Sequence, residues 1–472
     1  MGEKQPNIIY VFADQWRRQA VGYANEDAVQ TPVIDEFAKE STVFNQAVSV
    51  APLCSPHRSS LLTGKYPYST GVYTNCKVGL DIMLKEDEIC IGDVLKKEGY
   101  RTGYIGKWHL DLPELNVTDT PESEAKGWDA YTPPGPKRHG FDYWYSYGAW
   151  DSHLTPHYWT DTPEKIHVEQ WSVEHETDKA IEFIGENTED PFALFVSWNP
   201  PHSPFAEVPQ KYLNLFEDLP KTFRENVHTD TFSVHTGEEI EGGLDELFEK
   251  QKQYFAAIAG LDDNFGRLLD CIEQKGLHDN TIIVLTADHG EMMGSHGIMA
   301  KHVWYEESVG IPFAIRWPDK IARKQTDCLL NTVDIMPTLL GLAGIDCPQT
   351  VEGENLAPYL LGEEKTTPDA VFLSAYPGRL VAVEAFKEQG LNHLAAGWRA
   401  VRTNDYTFVI HKGYEPGASM EILLYHLKED PYQLQPQKIT NPKQENESVQ
   451  VLYEKLKEWL REIDDPFVEG LL

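Results

Sequence analysis

The feature of this sequence that most constrains its fold is the alternation of short apolar runs with helix-like segments. The apolar runs are rich in β-branched and aromatic residues and are bounded by polar or glycine-containing turns. Such an alternation is typical of parallel strands joined by crossover helices. The clearest strands predicted in this way are residues 8–13, 102–105, 192–198 and 281–286, and the clearest helix is residues 245–275.

The last hundred residues have a different pattern. Short strand-like runs at 371–374, 399–403, 406–410 and 422–426 are followed by an amphipathic segment at 449–463. Strands this closely spaced favour antiparallel pairing. We therefore predict an α/β fold in which a large mixed, mostly parallel sheet is flanked by helices, with a smaller C-terminal antiparallel α+β domain. The predicted domains are residues 1–370 and 371–472.

The charge of the chain limits its partners. The formal net charge is −34, which argues against nucleic acid and against anionic membrane surfaces, because both require basic patches. An anionic substrate stays compatible with this charge if the few cationic groups are concentrated in one pocket. No apolar run is long enough to cross a bilayer and no leader pattern is present. The sequence thus predicts a cytoplasmic protein, with an exported protein as the alternative.

Polar side chains directly follow each of the four predicted strands. The first strand is followed by Asp14 and Gln15, and the fourth by Asp288 and His289. The second and third are followed by Lys107, His109 and His202. In open α/β sheets, ligands bind beyond the carboxyl ends of the strands. If the four strands belong to one parallel sheet, the first group can ligate a cation, and the second can bind an anion or transfer protons.

The types of ligand atom do not decide which metal ion binds. Oxygen-rich ligation by Asp14, Gln15 and Asp288 favours a hard divalent ion such as Ca²⁺ or Mg²⁺. The nitrogen of His289 shifts the preference toward Mn²⁺ or Zn²⁺.

Residues 54–64, Cys-Ser-Pro-His-Arg-Ser-Ser-Leu-Leu-Thr-Gly, form the most specific segment. Pro56 suits the first turn of a helix, which would put Cys54 just before a helix N-terminus, where backbone N–H groups attract anions. Arg58 lies one turn further and can present a planar fork to an oxyanion. On these grounds alone, a reactive thiol and a buried cysteine at a helix end are equally compatible with the sequence.

This segment resembles the signature of the type I sulfatases, in which Cys, any residue, Pro, any residue and Arg precede a Leu-Thr-Gly sequence. The resemblance extends from residue 7 to about residue 431 in the order of the family. The other matching segments are residues 7–15, 106–109, 201–205, 288–291, 301–307 and 422–431. It implies the fold of the alkaline phosphatase superfamily and the hydrolysis of a sulfate ester.

The resemblance also implies a modified residue and a metal site. A formylglycine-generating maturation enzyme would oxidise Cys54, and the hydrate of the resulting aldehyde would be both nucleophile and metal ligand. Ca²⁺ is the usual family ion. Because Gln15 and His289 stand where many relatives have Asp and Asn, Mn²⁺ and Zn²⁺ remain alternatives. The implied ligands are Asp14, Gln15, Cys54, Asp288 and His289.

The resemblance to the sulfatases also implies roles for five further residues. Arg58 would hold the hydrated formylglycine, and Lys107 and Lys301 would contact the sulfate oxygens. His202 would protonate the leaving oxygen, and His109 would take a proton when sulfate is released.

The sequence identifies the substrate only as a class. Trp150, Asp151 and His153 lie in a predicted loop, where aromatic rings beside polar groups suit sugars. We therefore expect a small-molecule or oligosaccharide sulfate ester, with a sulfated carbohydrate favoured over an aryl sulfate. One alternative is a phosphonate monoester or phosphodiester hydrolase of the same superfamily. His289 would be compatible with such an enzyme, but these enzymes normally lack the Lys and His residues that Lys107 and His109 match. Another is a non-catalytic binding protein on a sulfatase scaffold.

Overall fold

The computed structural model describes residues 5–186, 190–228, 232–233 and 242–471. Among them, the strands β1 to β17 are Asn7–Asp14, Thr42–Val48, Arg101–Lys107, Tyr143–Tyr147, His157–Tyr158, Ile166–His167, Phe192–Pro201, Phe232–Ser233, Thr281–Ala287, Ile298–Met299, Phe313–Arg316, Lys324–Asn331, Val371–Ala375, Trp398–Arg402, Tyr406–His411, Glu421–His426 and Gln437–Lys438. The helices α1 to α12 are Pro32–Lys39, Cys54–Thr63, Pro67–Thr70, Ile91–Lys97, Ser172–Glu186, Gln210–Leu213, Gly243–Gln274, Glu306–Val309, Ile335–Leu342, Ala357–Leu360, Leu380–Glu388 and Glu447–Glu462.

The large sheet has eight strands in the order β12-β2-β11-β9-β1-β7-β3-β4. All neighbouring strands are parallel except β11, which is antiparallel to both β2 and β9. Every residue of β1, β7 and β9 is buried, as expected when helices cover both faces of a parallel sheet. The prediction of a large, mostly parallel sheet is confirmed.

The four strands predicted most clearly from the sequence are neighbours in this sheet. β9, β1, β7 and β3 lie side by side, and each pair is parallel. Their carboxyl ends therefore meet at one edge, which is the condition that the sequence argument required. The observed strands extend slightly further than predicted, so that Asp14 and Lys107 are the last residues of β1 and β3.

The longest helix, α7, packs beside the sheet. Its buried stripe includes Phe255, Ile258, Leu261 and Phe265, and the ring of Phe265 meets that of Phe37 edge to face at a centroid distance of 5.0 Å. The observed bounds differ from the predicted ones by only a residue or two at each end. Among the described residues, none of the helices combines the length and apolar composition that crossing a bilayer requires.

The C-terminal residues form a five-stranded antiparallel sheet in the order β13-β14-β15-β16-β17, which confirms the predicted antiparallel arrangement. Helix α12 covers one face of it, with Phe372 and Trp459 stacked at a centroid distance of 5.0 Å. The two-residue strand Gln437–Lys438 was not predicted, because two exposed residues carry no alternation. The domain boundary after residue 370 stays a prediction.

The two sheets share part of one core, because strands β2 and β12 contribute to a buried cluster with strands β13 to β16. Val50, Ala51, Tyr66 and Val333 belong to the same buried cluster as the inner face of the C-terminal sheet and α12. The backbone N–H of Ser374 donates to the carbonyl of Val50 at 2.9 Å. This contact places the C-terminal residues close to the beginning of α2.

Candidate active site

Helix α2 places Cys54 at the edge where the four strands end. Its ten residues are all buried, and Cys54 is its first helical residue rather than the residue before the helix, as we had predicted. The helix can start this early because the amides of a first turn have no intrahelical acceptor, so Pro56 removes no hydrogen bond from it. Cys54 still lies at the helix N-terminus.

Four side chains form a compact cluster of potential metal ligands. The ligand atoms of Asp14, Cys54, Asp288 and His289 all lie within 4.8 Å of one another, and all four residues are buried. The Sγ atom of Cys54 is 3.4 Å from Nε2 of His289 and 3.5 Å from Oδ1 of Asp14. Two carboxylates and an imidazole at this spacing fit a divalent cation.

The electrostatics of the two carboxylates support this fit. Burial, together with the charge of Asp14, raises the pKa of Asp288 to about 6, although His289 and Arg58 act in the opposite direction. The pKa of Asp14 lies well below its usual range. Burial and Cys54 act to raise it, but the positive charges of Lys107, His202 and Arg58 outweigh them. A cation between the two carboxylates would remove the repulsion that Asp288 experiences.

Gln15 occupies a different position from the four clustered residues. It has a positive φ of 67°, and its side-chain oxygen accepts a hydrogen bond from Lys301. Its side-chain nitrogen donates to Glu291, whose other oxygen accepts from the amides of Met293 and Ala300 at 2.8 Å. The amide of Gln15 is therefore oriented with its oxygen toward Lys301, and its role as a metal ligand stays a prediction. Glu291 received no role from the sequence, although it lies three residues after Asp288.

Arg58 connects the metal cluster to the sheet. Its Nη2 donates to Oδ2 of Asp14 at 3.1 Å and to Oδ2 of Asp288 at 3.2 Å. Its Nη1 donates to the carbonyl of Lys107 at 2.6 Å and to Oγ of Ser197 at 2.7 Å. The guanidinium is fully buried, so it fixes the two carboxylates relative to each other.

Cationic groups surround the thiol. Lys107 Nζ lies 2.7 Å from Oδ2 of Asp14 and donates to Oδ1 of Asn199 at 3.0 Å. Burial raises the pKa of Cys54, but Lys301, Lys107 and His289 together bring it well below its usual value. In a chain of net charge −34, these cationic groups are concentrated beside Cys54, where an anion can bind.

The hydrogen bonds of two histidines indicate which ring nitrogen is protonated. His202 Nδ1 lies 2.7 Å from the carbonyl of Ser203, so Nδ1 donates and Nε2 is free to exchange a proton. His109 Nε2 lies 3.1 Å from the carbonyl of Cys76, which leaves Nδ1 as the acceptor. Asp151 Oδ1 is 3.4 Å from His202 Nδ1 and accepts from Asn199 Nδ2 at 3.1 Å.

A cavity of about 320 Å³ opens above Cys54. The sequence-predicted residues that line it are Cys54, Lys107, His109, Trp150, Asp151 and His202. His153, which we predicted to contact the substrate, does not line it: the side chain is only 2% exposed, and its Nε2 lies 2.8 Å from the carbonyl of His202. Asn75 and Trp128 also line the cavity but were not predicted, since neither follows a strand or belongs to a recognised segment.

The comparisons with known proteins agree with this geometry. Residues 6–345 match the family model Sulfatase, and residues 294–463 match the model N-sulphoglucosamine sulphohydrolase, C-terminal. An endo-4-O-sulfatase of Bacteroides thetaiotaomicron is 38% identical, over 98% of this chain and 93% of that protein. An ulvan-active sulfatase of Formosa agariphila is 35% identical, over 86% of this chain and 72% of that protein.

A solved structure described under the metabolism of multiple glycosaminoglycans by Bacteroides thetaiotaomicron superposes with a TM-score of 0.86. It is 36% identical in sequence and covers 99% of both chains. The fold and the site thus define a sulfuric ester hydrolase of the alkaline phosphatase superfamily. This chain belongs to the sulfatase family.

Proposed function

We propose that this sulfatase removes a sulfate ester from a sulfated carbohydrate, with a formylglycine made from Cys54 and a divalent metal ion beside it. The observation that carries the proposal is the position of Cys54. Its Sγ atom lies at the base of a cavity, against the carboxylate cluster and among Lys107, Lys301 and His289. Sγ stands in for the hydroxyl oxygens of the formylglycine hydrate, which are attached to the same carbon atom.

The modification and the ion have separate contributions. A maturation enzyme would convert Cys54, and the hydrated aldehyde supplies a nucleophilic hydroxyl that a thiol does not. A divalent ion, held by Asp14, residue 54, Asp288 and His289, supplies positive charge that favours an ionised hydroxyl at that position. Ca²⁺ is the ion we propose first, with Gln15 as a further oxygen donor.

The side chains around the thiol bind the sulfate and move protons. Lys107 and Lys301 are both buried next to Cys54, where they would hold the sulfate oxygens and stabilise the charge that develops on them. His202 would donate a proton from Nε2 to the leaving oxygen. Asp151 and the carbonyl of Ser203 orient its ring from the Nδ1 side.

His109 suits the opposite proton transfer. Its ring is buried beside Cys54, and burial lowers its pKa, an effect that the contact with Cys54 opposes. A neutral imidazole with a free lone pair can accept the proton of a hydroxyl on residue 54 as sulfate departs. The roles of His202 and His109 are therefore complementary.

Two features support a carbohydrate substrate. The cavity wall combines Trp128 and Trp150 with the carboxylate of Asp151, and indole faces beside hydrogen-bonding groups match the faces and hydroxyls of a sugar ring. The relatives include an ulvan-active sulfatase and a protein of glycosaminoglycan metabolism.

A substrate panel tests the proposal. We expect kcat/KM for at least one sulfated oligosaccharide to exceed that for 4-nitrophenyl sulfate by about 100-fold or more, because contacts to the sugar contribute binding energy in the transition state. Turnover of the aryl sulfate without turnover of any sulfated carbohydrate would contradict it. An aryl phosphodiester belongs in the same panel, because a preference for it would favour a phosphodiester hydrolase. The nitrogen ligand His289 is compatible with the metal ion of such an enzyme.

Metal removal gives a second prediction. Dialysis against a chelator is expected to lower kcat by about 100-fold or more, and Ca²⁺ is expected to restore it. Asp288→Asn should raise the Ca²⁺ concentration needed for half-maximal activity by at least about 10-fold, because the variant lacks one anionic ligand. The control is Asp346→Asn, an exposed aspartate elsewhere, which should behave as the unaltered protein. Full activity in a preparation shown by elemental analysis to be metal-free would refute the metal requirement.

A further inference from the structure

A second cavity lies beside the one above Cys54. Its volume is also about 320 Å³, and Asn75 and Trp128 line both cavities. Trp128 is 44% exposed. Its ring is inclined by 30° to that of His109, at a centroid distance of 6.2 Å. Trp128 therefore forms a wall that is common to the two cavities, with His109 on the side of the first cavity.

Two cations line the second cavity. Lys77 Nζ lies 5.7 Å from the centroid of the Trp128 ring, and Arg379 lines the same space. Burial, and then the charge of Arg379, lower the pKa of Lys77, which shows that the two like charges are close enough to repel each other. Glu415 also lines the cavity. Lys77 and Arg379 therefore present two cationic groups to one cavity of a strongly acidic chain, where an anionic ligand can contact both.

His302 adds an unsatisfied polar atom to the same cavity. It lines the cavity, and its buried Nε2 has no hydrogen-bond partner among the described residues. Its ring stacks on Tyr414 at a centroid distance of 5.3 Å, so the ring is held in place. A ligand that fills the cavity would supply a partner for this atom.

The C-terminal residues bring Arg379 to this position by a close backbone approach. A Cβ atom on Gly378 would lie 2.0 Å from Oγ1 of Thr74, a residue on the Lys77 side of the cavity. Only glycine permits this contact. The packing of Gly378 on Thr74 thus brings Arg379 and Lys77 to the lining of one cavity.

We propose that this cavity is a second sugar subsite, which binds an anionic group on the residue next to the sulfated sugar through Lys77 and Arg379. The proposal rests on the carbohydrate sulfatase function proposed above. The anionic group is a carboxylate of a uronic acid or a second sulfate ester, since a lysine and an arginine can bind either. Because Asn75 and Trp128 line both cavities, the two cavities are adjacent, as binding sites for neighbouring sugars would be.

The test compares matched substrates and matched variants. Lys77→Met and Arg379→Met are assayed singly and together on a sulfated oligosaccharide that carries a neighbouring uronate, and on the same compound with that carboxylate reduced to an alcohol. A second pair has the neighbouring sulfate present or absent. The control is Lys85→Met, which makes the same change of charge at an exposed residue outside the cavity lining.

For one of the two pairs, we expect each substitution to lower kcat/KM on the anionic member by about 10-fold and the double variant by about 100-fold. The neutral member should lose less than about 3-fold, and the pair that responds identifies the anion. Equal losses on both members of both pairs, or no loss on any substrate, would overturn the subsite. If the unaltered protein hydrolyses aryl sulfate but no oligosaccharide, the proposed carbohydrate function fails, and the subsite fails with it.

Discussion

Cys54→Ala is expected to lower kcat/KM for sulfate ester hydrolysis by about 10⁴-fold or more, the scale seen when an enzyme loses its nucleophile. Alanine cannot be oxidised to an aldehyde hydrate, and so no hydroxyl remains beside the carboxylate cluster. The side chain is buried at the start of α2 and is close in size to alanine, so the fold should persist. Far-UV circular dichroism and the thermal unfolding midpoint should stay near those of the unaltered protein.

Cys347→Ala provides the matched control. Cys347 is half-buried and far along the chain, and its thiol makes a weak contact with the carbonyl of Pro337. Its replacement should leave kcat/KM within about 2-fold of the original value. The peptide that contains Cys54 should show the mass deficit expected when CH₂–SH becomes an aldehyde, in protein isolated from its native host. Undiminished activity of Cys54→Ala would remove Cys54 from the mechanism.

Arg58→Met is expected to have the largest effect on stability, a loss of about 3–5 kcal/mol in the free energy of unfolding. Methionine keeps much of the length of the side chain but removes the charge that lies between Asp14 and Asp288. Two buried carboxylates then face each other, Oγ of Ser197 loses the hydrogen bond from Arg58, and the carbonyl of Lys107 keeps only the one from the hydroxyl of Tyr104 among the described residues. Urea denaturation in the presence of a chelator measures the loss directly.

The same variant gives a second readout. A divalent ion should recover more stability in Arg58→Met than in the unaltered protein, because the ion offsets the charge repulsion that the arginine had offset. Arg101→Met is the matched control: Arg101 is partly exposed and pairs with an exposed Glu186, so we expect a change below about 1 kcal/mol. A similarly small change for Arg58→Met would show that the arginine does not hold the carboxylates together.

The sequence predicted the parts of the site that depend on strand direction. Asp14, Lys107 and Asp288 come at the ends of strands, and adjacent parallel strands end at the same edge, so their proximity followed from the strand pattern alone. The position of Cys54 followed from the resemblance and from the helix signal around Pro56.

The parts that depend on loops were not predictable in this way. Asp151 and His153 are two residues apart in a loop. A loop has no regular repeat like that of a helix or strand, so the sequence does not determine which side chain points into the cavity. The structure directs the first to the cavity and the second to the carbonyl of His202. The place of Trp128 depends on long-range contacts with Lys77 and His109, which no local pattern records.

The core shared by the two sheets has a consequence for how this protein could be recombined with others. Val50, Ala51, Tyr66 and Val333 pack against the C-terminal sheet and α12, and Glu306 accepts hydrogen bonds from both Arg18 and Arg402. A graft of residues 371–472 from another sulfatase would therefore have to match buried shapes and a buried charge on the recipient. Because Arg379 lies in the grafted segment and lines one cavity with Lys77, such a graft would also change the lining of that cavity.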